Sequence, residues 1–207
     1  MTYFQTLFYE QHTNVIEYNG ITYHRFWPIQ VDGDIILSLK FVEQRSKYTQ
    51  AIVLMLPHNF DGSVSISENH IPIPKTSFPA LNFWEDSAPR EFDVSIKNFT
   101  GEIKICNGAD PIGTKQFCKH LSEGCAMIVR EIGQGKYSFQ CNDHEFDGNC
   151  DNLVFELEIR KKTKDKGMVC VNPNEKHRKK LRKTSTRNSS ALNNEIRDSI
   201  YSVAFTA

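Results

Sequence analysis

Two-residue alternation is the feature that most constrains this chain. Phe92, Val94 and Ile96 alternate with Asp93, Ser95 and Lys97, and similar short runs recur at residues 15–18, 21–26, 34–42, 63–67, 102–106, 125–132, 136–141 and 153–159. Side chains of a strand point to opposite faces in turn, so each run reads as a strand with one face buried. Residues 49–56 are apolar almost throughout, as in a strand buried on both faces. No long amphipathic segment lies between the runs to serve as a crossover, which excludes a parallel α/β sheet and predicts an all-β antiparallel sandwich or jelly roll.

Turn residues punctuate these runs. Asn19-Gly20 supplies the two positive φ angles of a tight hairpin between residues 15–18 and 21–26. Asp32-Gly33 predicts a second turn, Asp61-Gly62 a third, and residues 133–135 a further hairpin. Pro72, Pro74, Pro79 and Pro89 predict an extended loop over residues 70–90, because each removes a backbone donor. Phe78, Leu81, Phe83 and Trp84 would plug the core from that loop. Within residues 1–160 a short helix is expected only at 113–121.

The alternation stops near residue 160, and there the composition changes. The 207 residues carry no net charge, yet residues 160–187 hold twelve Lys and Arg against Asp165 and Glu175, an excess of about ten. The expected division is a β-domain over 1–160 and a basic, disordered tail over 161–207, with a helical face at 191–204 formed by Leu192, Ile196, Ile200 and Val203. Lys176, Arg178, Lys179, Lys180, Arg182 and Lys183 form a cluster that would displace counterions from a nucleic acid. No aromatic residue interleaves them, so base stacking is not indicated.

No basic and apolar leader opens the chain, and the longest apolar run, 51–56, is far short of a membrane span. The expectation is a cytoplasmic protein without a membrane partner. The six cysteines would then be reduced, with Cys106, Cys125 and Cys141 buried as small hydrophobes and Cys150 and Cys170 accessible. A zinc site among Cys106, Cys118, His120, Cys125, Cys141, His144 and Cys150 has no supporting spacing, and neither does a Cys–His nucleophile. Tyr23, Phe26 and Trp27, or Trp84-Glu85-Asp86, would line a sugar cleft or pack in the core.

Residues 141–159 read CNDHEFDGNCDNLVFELEI and crowd oxygen donors ahead of an alternating strand. Calcium takes six to eight such oxygens, and Asp143, Asp147, Asn149 and Asp151 are the candidate ligands. The helix-loop-helix register fails, because Asn152 stands where glycine is required. Asp and Asn would equally make side-chain turns that shape a loop without an ion.

The run 147–156 resembles the closing motif of bacterial calcium-associated β-sandwich modules, departing from it at Asn149 and Asn152, where amides replace acids. That resemblance covers about twenty residues and implies a calcium-steadied sandwich. Cys106-Asn107-Gly108, residues 124–129 and residues 137–143 also resemble a family of bacterial β-domains to which no activity attaches. The leading expectation is a non-catalytic binding module for a protein or carbohydrate ligand, with calcium as its cofactor. The alternatives are a nucleic-acid-associated protein acting through the tail, and a hydrolase using acids of the 143–151 loop.

Overall fold

A computed structural model describes residues 3–71, 73, 79–113, 115, 125–143 and 150–161. One helix, α1 (Tyr3–Glu10), precedes eleven strands. These are β1 (Val15–Tyr18), β2 (Ile21–His24), β3 (Trp27–Gln44), β4 (Thr49–Met55), β5 (Ser63–Ile66), β6 (Asn69–Ile71), β7 (Ala80–Trp84), β8 (Glu91–Asp110), β9 (Ala126–Gly133), β10 (Lys136–Asn142) and β11 (Leu153–Lys161). The fold is all-β and antiparallel, as the alternation predicts. Hydrogen bonds link the strands into one sheet in the order β1-β2-β9-β10-β11-β3-β8-β4-β7, with β5 joining β8 and β6 joining β5.

Two long strands determine its shape. The pairing of β3 with β8 runs from Trp27↔Ile105 to Lys40↔Glu91 and slips once, between Gly33↔Phe99 and Ile35↔Ile96. Two steps along β3 there match three along β8, so β8 carries the extra residue of a bulge. Asn98 takes the left-handed backbone (φ 54°), and its N–H donates to Asp34 Oδ1 at 2.9 Å. An extra residue reverses which positions face inward. Phe92, Val94 and Ile96 are buried before the bulge, and Phe99, Ile103 and Ile105 after it.

The bulge also changes the partner on β8's other edge. Residues of β5 pair with 94–97, whereas β4 pairs with 104–110. Buried side chains from both parts, among them Leu37, Phe139 and Phe155 on one and Ile52, Phe83 and Ile103 on the other, fall in one hydrophobic cluster. A second, smaller cluster of Phe4, Phe8, Ile16, Tyr23 and Ala126 lies under α1 and the β1–β2 hairpin.

Several local expectations hold. Asn19 and Gly20 both have positive φ (52° and 72°) and close the β1–β2 hairpin. Residues 133–135 connect β9 to β10, and β4 is buried along most of its length. Tyr23 and Trp84 are buried, which favours packing over an open sugar cleft.

Three expectations need correction. Asp32-Gly33 makes no turn, because β3 continues through it to the bulge. The 70–90 stretch is not one loop. Pro79 and Pro89 flank β7 without interrupting it, and Leu81 and Phe83 face Leu54 and Ile52 in register. Helix α1 was not anticipated, although Phe4, Leu7 and Phe8 have helical spacing and pack in the second cluster. The expected 113–121 helix falls almost wholly outside the described residues, as do the tail beyond Lys161 and its 191–204 segment.

Candidate binding site

The polar positions of the alternating strands meet across the outer face of β10, β11, β3 and β8. Register fixes which residues become neighbours. Lys136 lies opposite Glu158, Glu158 opposite Ser38, and Ser38 opposite Asp93. The next row is Ser138, Glu156, Lys40 and Glu91. Opposite charges thus stand beside each other on adjacent strands, where cross-strand pairs stabilise a sheet.

Most of these charges are paired. Lys40 Nζ lies 2.6 Å from Glu91, Lys136 Nζ 3.3 Å from Glu158, and Arg160 2.9 Å from Asp93. Ser38 Oγ donates to Asp93 Oδ1 at 2.6 Å and accepts a hydrogen bond from Arg160. The Lys40–Glu91 hydrogen bond, reinforced by their charges, raises the pKa of the ammonium and lowers that of the carboxyl. Exposed pairs of this kind add little to stability, because solvent screens them. They do fix side chains around a groove of about 310 Å³ that Leu39, Phe92 and Leu157 also line. Glu156 lines that groove without an ion pair among the described residues.

The acidic loop stands at one end of the same strands. Of its four candidate ligands, Asp147 and Asn149 lie outside the described residues, and Asp143 and Asp151 form its stems. Asp143 is 4% exposed and accepts a hydrogen bond from Ser46 Oγ at 2.5 Å. Asp151 pairs with Arg45 at 2.7 Å, and the Arg45 and Ser46 N–H groups both donate to Asn152 O. Both stems are therefore fastened to the β3–β4 turn. A cation at Asp151 would have to displace the Arg45 guanidinium. Among the described residues no three His, Cys, Asp or Glu side chains are grouped to hold a metal.

Buried amides back this end of the sheet. Asn107 donates to Asn142 O at 2.7 Å, Asn142 donates to Asp143 O at 2.6 Å, and Gln50 donates to Tyr48 O at 3.3 Å. Asp110, also buried, accepts from the N–H groups of Ile112, Gly113 and Lys115 at 3.2, 2.9 and 2.6 Å. This is a side-chain turn of the kind expected for Asp, and it is structural.

Three thiols are sealed in the interior. Burial pushes the Cys106 thiol up to about 12 and raises those of Cys125 and Cys141 well above the ordinary thiol value. A thiolate is the reactive form, so these groups should resist a thiol reagent in the folded state. Cys150, half-buried beside Tyr23, should be labelled before any of them. Peptide mapping after brief labelling at about pH 8 checks the order. Labelling of Cys106 or Cys141 ahead of Cys150 would contradict this packing. Cys118, His120, His144 and Cys170 lie outside the described residues, as do Lys176, Arg178, Lys179, Lys180, Arg182 and Lys183.

Among the described residues no helix is long and apolar enough to cross a membrane. Comparison with known proteins yields no relative for this chain: no family model, curated protein or solved structure matches it.

Proposed function

We propose that this chain is a non-catalytic binding module whose ligand surface is the charged groove across β10, β11, β3 and β8. The observation that supports this most is the mixed-charge wall, in which Lys40, Glu91, Asp93, Lys136, Glu158 and Arg160 are oriented by one another around Glu156, which stands opposite Lys40 and closes no ion pair within 4 Å among the described residues. A groove with few exposed rings offers a sugar little to stack on, and its aromatic residue, Phe92, is buried. Charged side chains of an extended peptide complement it better, with an amine at Glu156.

A short peptide of alternating lysine and glutamate is the suitable probe. Titration calorimetry should detect its binding, weakened at high salt because exposed charges are screened over about 10 Å at 0.1 M. Glu156→Lys should reduce the affinity about tenfold, the equivalent of roughly 1.4 kcal/mol, by replacing an attraction with a repulsion. Equal affinity in the variant would remove the groove from the account.

A calcium ion at the 143–151 loop is a second proposal. The likeness of residues 147–156 to the closing motif of calcium-associated β-sandwich modules supports it, and the ion would have to take Asp151 from Arg45.

A further inference from the structure

Among the described residues, the strand pairing that joins the N-terminal unit to the main sheet is short. Helix α1 and the β1–β2 hairpin supply Phe4, Phe8, Ile16 and Tyr23 to a hydrophobic cluster that is separate from the main core and that Ala126 of β9 completes. In the sheet, β2 meets β9 in one register pair, His24↔Met127, whereas β9 and β10 share seven. Local opening follows such boundaries, where few pairings and a separate core leave one unit less stable than the rest.

The residue at that single pair is titratable. His24 Nδ1 is buried and has no hydrogen-bond partner among the described residues, and the ring stands edge-on to Trp27 at 4.9 Å. Among the described residues the charged groups around it offer no counter-charge. Arg25 follows it in the chain, and its guanidinium lies 5.3 Å over Tyr9 and 5.2 Å over Phe26. Glu17 of β1, Glu10 of α1 and Arg130 of β9 are all exposed. A proton on His24 would place charge on a nitrogen that lacks an acceptor, which burial penalises.

We propose that this unit is an acid-released clasp: protonation of His24 frees α1 and the β1–β2 hairpin from β9 while the main sheet remains folded. Burial lowers the His24 pKa from its ordinary 6.5, so the closed state prefers the neutral ring. The sign follows from proton linkage. The open state binds more protons, so closure is fully favoured above about pH 6.5 and weakens as pH falls from there through the lowered value. Opening uncovers Ala126, Ile128 and Cys150, which pack against the unit's cluster.

Hydrogen exchange of the full chain, read by mass spectrometry and corrected for the intrinsic rate at each pH, tests this. Peptides covering residues 3–24 should open severalfold more often at pH 5 than at pH 7.5, because the open state binds the proton more readily. Peptides covering β10 should keep their opening frequency. In His24→Gln the acid increase should vanish, whatever the variant's baseline, because glutamine does not titrate. Equal protection of residues 3–24 and β10 at both pH values would overturn the proposal. So would an acid increase that survives in the variant.

Discussion

Phe155→Ala is expected to destabilise the chain by about 3–5 kcal/mol, the usual cost of emptying a phenylalanine site in a core. Phe155 is fully buried on β11 and lies opposite Phe139 on β10 and Phe41 on β3. The Phe139 and Phe155 rings stack with centroids 4.5 Å apart and planes within 4°. Strands on both sides close around this stack, so little can move in to fill the space. Native domains are stable by only about 5–15 kcal/mol, and the loss would be a large part of that. Urea unfolding of the variant measures it. Phe139→Ala should cost a similar amount, and the double variant less than the sum, because the first truncation already empties part of the shared space. Strict additivity would mean that the rings do not pack as a pair.

Gly62→Ala should destabilise the fold by about 1–3 kcal/mol from overpacking. A Cβ at Gly62 would stand 2.7 Å from the Lys97 carbonyl oxygen and 2.8 Å from Phe99 Cβ. Both neighbours lie at the β8 bulge, so relief would require shifting the backbone where the other edge of β8 passes from β5 to β4. Gly33 supplies the contrast. Its surroundings are open, but its φ of +84° is left-handed, a region that asparagine enters more readily than most residues. Gly33→Asn should therefore be tolerated and Gly62→Asn should not. Thermal melts of the two variants discriminate close approach from backbone conformation, and equal melting temperatures would contradict this reading.

Strand identity was legible because the buried positions of β3, β8, β10 and β11 alternate in the sequence as they do in space. The change of parity at Asn98 was also present in the chain, as Phe92, Val94 and Ile96 giving way to Phe99, Ile103 and Ile105. Read one strand at a time, it looked like a gap between two strands. Asp32-Gly33 misled for a related reason: the dipeptide suits a tight turn, but Gly33 and Asp34 instead accommodate the bulge in the neighbouring strand. Pro79 and Pro89 hid β7 because proline excludes itself from a strand but not from its flanks.

The groove was not legible at all. Glu156, Glu158 and Arg160 look like an ordinary solvated face, and nothing local says that Ser38 and Lys40 lie beside them with Asp93 and Glu91 beyond. Register between strands distant in sequence supplies that information. The acidic loop was conspicuous in the sequence, yet the Arg45 that holds Asp151 is 106 positions away.

The most direct test of the binding reading is an amide chemical-shift map of the full chain, labelled with nitrogen-15, during titration with the alternating lysine–glutamate peptide. The account predicts that shifts concentrate on Ser38, Lys40, Glu156, Glu158 and Arg160 and disappear in Glu156→Lys. A map with no shifts in these residues, or with the same shifts in the variant, would contradict it.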